Sequence, residues 1–145
     1  MTKPILIING PNLNRLGTRE PEVYGRETLE QLNSRITVRA KELGVSVDFF
    51  QSNHEGELID RLHAAAETAS AVILNPGGLA HTSVALRDAV ASIPIPTVEV
   101  HISNIFAREP FRQHSVVSGA CRGIISGLGV QGYLIALDHL VTILR

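Results

Sequence analysis

Short, unbroken apolar runs alternate with segments of helical period along this chain, and that alternation constrains the fold more than any other feature. The first run is Ile5-Leu6-Ile7-Ile8. It is β-branched and lacks the polar alternation of a half-exposed strand, so it reads as a strand buried on both faces. Residues 45–50, 71–74, 97–100 and 120–125 read as four further strands, with Pro94 and Pro96 keeping the start of the fourth short. Between them, Leu29, Leu32, Ile36, Ala40 and Leu43 recur at helical spacing over residues 28–43. Thr28 and Gln31 stand at capping-box spacing there, and Gly44 is a stop signal. Ser52 and Glu55 are expected to cap a second helix with Leu58, Ile59, Leu62 and Ala66 on its inner face. Thr82 is expected to cap a third, running through Val84, Ala85, Ala89 and Val90 and ending before Pro94. Residues 128–144 form the last, with Leu134, Leu137, Val141 and Leu144 facing inward, and residues 102–118 are irregular or hold short helical turns.

Strands alternating with helices imply βαβ crossovers and a parallel sheet. Five strands in 145 residues suggest an α/β, flavodoxin-like three-layer sandwich with strand order 2-1-3-4-5, whose switch point lies between strands 1 and 3. The length suits one domain with a substantial core, residues 1–145, and no repeat, linker or low-complexity segment divides it. A formal net charge of −1 gives no reason to invoke nucleic acid or an anionic membrane. Cys121 is the only cysteine, so no internal disulfide is expected. With no signal-peptide core and no membrane span, the expected compartment is the cytoplasm.

The polar loops are unusual. Residues 9–25 follow the first strand with Gly10, Pro11, Gly17, Pro21 and Gly25, which keep the chain out of regular structure, and with Asn12, Asn14, Arg15, Arg19, Glu20 and Tyr24. A loop of this length in a compact domain is usually functional, and it reads as an active-site lid. Asn75-Pro76-Gly77-Gly78 follows strand 3, and His101-Ile102-Ser103-Asn104 ends strand 4. In the 2-1-3-4-5 order these three loops meet at one sheet edge, which is the main reason to expect a site.

Alternation puts Glu99 and His101 on one side of strand 4. A carboxylate beside an imidazole orients it and favours its charged form, so at the switch point His101 reads as a general acid, although alone it reads as a surface histidine. Amides of Ile102 and Ser103 aimed into the crevice would make an anion site. Asn75 could add a side-chain donor, although by itself it reads as a turn former. Arg112 is taken as the nearest fixed positive charge in this half, and in isolation it would be a surface residue. Tyr24 and Arg19 share the lid, and a neighbouring guanidinium favours a phenolate and so a base, whereas Tyr24 alone would be a packing aromatic. Gly127-Leu128-Gly129-Val130-Gln131-Gly132 matches G-x-G-x-x-G, but Arg145 is reached before a further strand or an acidic residue about 20 positions on, so the glycines read as a tight turn. The six histidines are scattered without an H-E-x-x-H pair, no P-loop is present, and the loop after strand 1 lacks the Ser-, Thr- or Gly-rich character of a phosphate cradle.

Six motifs then stand together: Asn9-Gly10-Pro11-Asn12-Leu13-Asn14; Arg19-Glu20-Pro21 with Tyr24-Gly25; Gln51-Ser52-Asn53-His54-Glu55-Gly56; Asn75-Pro76-Gly77-Gly78; His81-Thr82-Ser83; and Glu99-Val100-His101-Ile102-Ser103-Asn104. In this order they resemble type II 3-dehydroquinate dehydratases over nearly the whole chain. The resemblance implies the shikimate-pathway step, on the route to aromatic amino acids, that converts 3-dehydroquinate to 3-dehydroshikimate. It implies anti elimination of water through an enolate, with no metal, cofactor or Schiff base. By the same resemblance, Tyr24 would be the base and Arg19 would promote its ionisation. His101 would be the acid, oriented by Glu99, and Asn12 would hold a water at the enolate oxygen. Asn75, Ile102 and Ser103 would bind the substrate carboxylate, and His81 and Arg112 would contact ring hydroxyls. Asp88, about two turns along its helix, would reach the site of a neighbouring subunit in a dodecamer of four trimers.

Overall fold

A computed structural model describes residues 3–145. Five parallel strands, β1 (Ile5–Asn9), β2 (Val47–Gln51), β3 (Ala71–Asn75), β4 (Thr97–His101) and β5 (Gly123–Ser126), lie in the order β2-β1-β3-β4-β5. The three inner strands are buried along their whole length, as unbroken apolar runs require, and the two edge strands are partly exposed.

Helices cover both faces. On one, Leu32, Ile36 and Ala40 of α2 (Leu29–Leu43) and Ala136, Leu137 and Leu140 of α5 (Gln131–Leu144) pack on Ile5, Ile7, Ile73, Val98 and Val100. On the other, Leu58, Leu62 and Ala65 of α3 (Glu55–Thr68) and Leu86, Ala89 and Val90 of α4 (Val84–Ala91) pack on Leu6, Ile8, Val72 and Leu74. Burying each such Ile or Leu is worth about 1.5–3 kcal/mol relative to leaving it exposed, so the alternate residues of β1 and β3 tie the layers together. This is a flavodoxin-like α/β sandwich. Among the described residues no helix is long and apolar enough to cross a membrane.

Local chemistry sets most of the boundaries. Thr28 and Gln31 form the expected capping box, and Gly44 closes α2 at φ 74°. Two expected caps differ. Thr82 does not cap α4; it ends the 3-10 turn Gly77–His81, and Ser83 accepts the Leu86 amide instead at 2.9 Å. Ser52 and Glu55 do not cap α3, whose N-cap is His54 without a side-chain bond. Ser52 is buried at the end of β2, where its hydroxyl accepts from the His54 amide and donates to Glu57, while Glu55 receives the Ser83 hydroxyl at 2.5 Å.

β5 and α5 begin later than their apolar residues suggest. Ser118–Ala120 is a 3-10 turn ahead of β5. Gly127 sits at φ 91° in the turn before α5, where a Cβ would fall 2.9 Å from that of Asn104. The glycine motif is thus a tight turn, with Gly132 against Val100 and Ile125. The lid is also more ordered than expected: it holds a 3-10 turn, Leu13–Arg15, and a single helical turn, α1 (Pro21–Tyr24), opened by a proline at its first position.

Candidate active site

The loops after β1, β3 and β4 converge on one cavity. Asn12, Leu16, Arg19 and Tyr24 line it from the first, Asn75, Gly78 and His81 from the second, and His101, Ile102, Ser103, Arg108 and Arg112 from the third. The first two loops touch closely: Gly77 sits at φ 60°, where a Cβ would fall 2.9 Å from the Pro11 carbonyl oxygen.

The lid is shaped by strain and by two apolar anchors. Asn12 and Glu20 are the non-glycine residues with positive φ among those described, at 72° and 41°. Such conformations persist only where surroundings impose them. For Asn12 the imposing group is Asn53, whose Oδ1 accepts the Asn12 amide at 2.9 Å and is itself held by Gln51 Nε2 at 3.2 Å. Leu13 and Leu16 are buried in the core below, whereas Val23 is only partly covered.

Tyr24 is gripped by two arginines. Arg108 Nη1 donates to its hydroxyl at 2.8 Å and to Ser103 Oγ at 3.1 Å. The Arg19 guanidinium lies over its ring, 4.7 Å from the centroid, and pairs with Glu20 at 3.3 Å. The two guanidinium groups thus meet Tyr24 at its oxygen and on its ring face. Arg112, taken from the sequence as the nearest fixed positive charge in this half, also lines the cavity, but Arg108 is the one bonded to Tyr24. Glu109 joins the two, 3.2 Å from Arg112 Nε and 3.7 Å from Arg108 Nε. Hydrogen bonding and these guanidinium charges hold its carboxyl below the usual carboxylate range.

Across the cavity, Glu99 and His101 do share one side of β4. His101 Nε2 lies 2.5 Å from Glu99 Oε2, and both side chains are buried. The His81 ring stacks on that of His101 at 6.2 Å. A carbonyl can only accept, so the 2.9 Å contact of His81 Nδ1 with the His114 carbonyl oxygen places a proton on Nδ1.

Asn75 satisfies both readings of its type. Its Oδ1 accepts the Gly77 amide at 3.1 Å, as a turn former does, and its Nδ2 donates to Tyr133 at 2.8 Å, leaving the second amide hydrogen for a ligand. Tyr133 in turn donates to Asn9, the register neighbour of Asn75, at 2.5 Å. Burial drives the Tyr133 phenol well above its ordinary range, so it stays neutral. Asp88 is exposed on α4 and does not line this cavity.

Arg108, Asn53 and Tyr133 escaped the sequence reading as functional side chains. Arg108 had no motif around it, and Tyr133 lies 58 residues from Asn75, inside a helix whose expected inward residues were Leu134, Leu137, Val141 and Leu144. The six-motif match did include Asn53 but assigned it no role.

Three arginines and two imidazoles around one cavity, with a tyrosine and a carboxylate-backed histidine, suit an anionic, hydroxylated substrate and proton transfer. Comparison with known proteins agrees. Residues 3–141 match the family of class II dehydroquinases. The 3-dehydroquinate dehydratase 2 of Corynebacterium efficiens is 60% identical over 138 residues, covering 94% of this chain and 95% of that protein. The catabolic 3-dehydroquinase of Emericella nidulans is 55% identical over 139 residues, covering 96% and 91%. The crystal structure of the type II dehydroquinase from Propionibacterium acnes superposes with a TM-score of 0.94 at 46% identity and covers 98% of both chains. The fold and the cavity are those of an α/β hydro-lyase. The chain belongs to the class II dehydroquinases, enzymes of the shikimate pathway.

Proposed function

We propose that this site removes water from 3-dehydroquinate by an anti elimination through an enolate, with Tyr24 as the base and His101 as the acid. The observation that carries the reading is that two proton-transfer groups, each with its own charged partner, line one cavity from different elements: Tyr24 with Arg108 on the lid side, and His101 with Glu99 at the end of β4. The Tyr24 phenolate takes the proton alpha to the ketone, and the electron pair moves onto the carbonyl oxygen. That enolate oxygen carries the charge to be stabilised, and a water held by Asn12 donates to it. Collapse of the enolate expels the hydroxyl, which takes a proton from His101 and leaves as water. A proton then passes from Tyr24 back to His101 through solvent, and the cycle closes.

Arg19 and Arg108 stand against Tyr24 and stabilise charge in the transition state. Asn75 and the backbone amides of Ile102 and Ser103 bind the substrate carboxylate, while His81 and Arg112 hold ring hydroxyls. No imine is involved: Lys3 precedes β1, Lys41 lies on α2, and neither lines the cavity.

The chain acts as one catalytic domain in the cytoplasm and assembles as a dodecamer of four trimers, in which Asp88 completes the site of an adjoining subunit. Native mass spectrometry tests the assembly: a twelve-chain particle supports it and a monomer contradicts it. The activity itself is tested by following the absorbance of the enone product after adding 3-dehydroquinate.

A further inference from the structure

Beyond the cavity, segment 114–118 ties itself to both histidines without lining the site. The Ser115 hydroxyl donates to Glu99, 2.9 Å from Oε2 and 3.1 Å from Oε1, and accepts the amides of Val117 and Ser118 at 3.3 and 3.2 Å. Its one proton and both lone pairs are therefore engaged. Ser118 Oγ donates to Glu99 Oε1 at 2.9 Å. The carboxylate, fully buried, thus receives two hydroxyls besides the imidazole. The same segment offers the His114 carbonyl to His81. It is anchored at its middle, where the Val116 amide bonds the Ala80 carbonyl at 2.8 Å and Arg87 Nη1 bonds the Val116 carbonyl at 2.7 Å.

We propose that segment 114–118 is a positioning strap for both imidazoles, in which the Ser115 and Ser118 hydroxyls hold the Glu99 carboxylate at the angle that aims His101 at the leaving group. A buried carboxylate with a single partner could rotate about its terminal torsion, which is broad and roughly two-fold. Three donors arriving from different directions remove that freedom. The two backbone amides polarise the Ser115 hydroxyl and strengthen its bond to the anion. The charge of Glu99 is also felt at Cys121, whose thiol is raised to about 12 and so stays neutral, and it does not replace the serines.

The inference rests on His101 being the acid. Ser118→Ala and Ser115→Ala should each lower kcat about 10- to 100-fold while KM for 3-dehydroquinate moves by less than about threefold, because misaiming an acid affects the transition state rather than binding. Ser115→Thr keeps the hydroxyl and should restore most of kcat. The imidazole nitrogen shifts of His101, read by NMR, should move in both alanine variants and return in the threonine variant. If Ser115→Ala fails to fold, Ser118→Ala decides alone, since its hydroxyl bonds only Glu99. Unchanged kcat with unmoved His101 shifts in a folded Ser118→Ala variant overturns the strap, as does a loss that falls wholly on KM. His101→Asn separates the two readings. If it turns over normally, the acid assignment fails and the strap falls with it; if it is inactive while the serine variants are unaffected, the strap alone fails.

Discussion

Arg108 donates a 2.8 Å hydrogen bond from Nη1 to the hydroxyl of Tyr24, joining the loop after β4 to the lid. In the proposed mechanism the bond places a cation at the oxygen of the base, and it ties together two loops that line the cavity. Arg108→Ala should therefore lower kcat by about 100-fold or more, in line with the loss of one preorganised donor. Arg108→Lys should recover little, because a point charge on a flexible stem cannot serve Tyr24 and Ser103 together. Steady-state rates of the two variants check this, and a fully active lysine variant would argue that charge alone matters.

Tyr133 stands between Asn9 and Asn75 at the base of the site. Tyr133→Phe strands the Asn9 oxygen and one Asn75 hydrogen in a dry interior, which should cost about 1–3 kcal/mol of stability. With Asn75 free to turn, KM should rise about three- to tenfold while kcat changes less. Urea melts and initial rates measure the two effects, and an unchanged KM would detach Tyr133 from substrate binding.

Much of the fold was legible in the sequence because hydrophobic period survives translation into packing. The run Ile5–Ile8 is a strand buried on both faces, Thr28 and Gln31 are a capping box, and Glu99 and His101 share a face, each from spacing alone. The convergence of three polar loops followed from strand order. Bonds between loops were not legible. Arg108 meets Tyr24 across 84 residues, and Ser115 meets Glu99 across 16, by paths that no periodicity encodes. The choice of Ser83 over Thr82 as a cap turned on one extra residue in a 3-10 turn.

Burial, and then the charge of Glu99, push the Cys121 thiol up to about 12. Native protein at pH 8 should react with a disulfide reagent far more slowly than protein unfolded in guanidinium, whose thiol ionises near its free value of about 8.5. The folded value is the raised one, so the contribution to stability is complete below pH ~8.5 and is lost as pH rises toward 12. Denaturation midpoints from pH 8 to 10.5 should fall, and less steeply in Cys121→Ala. Equal labelling rates in native and unfolded protein would contradict this.

The most direct test of the account is turnover by Tyr24→Phe, which keeps the ring on which Arg19 rests and removes only the oxygen that accepts the proton. The unaltered chain should convert 3-dehydroquinate to the enone, seen as rising absorbance. The variant should keep its circular dichroism spectrum and bind a non-reacting substrate analogue within about threefold, while kcat falls by at least about 100-fold, the scale of a lost general base. A folded Tyr24→Phe enzyme that turns over at close to the normal rate would contradict the assignment of the base and the mechanism built on it.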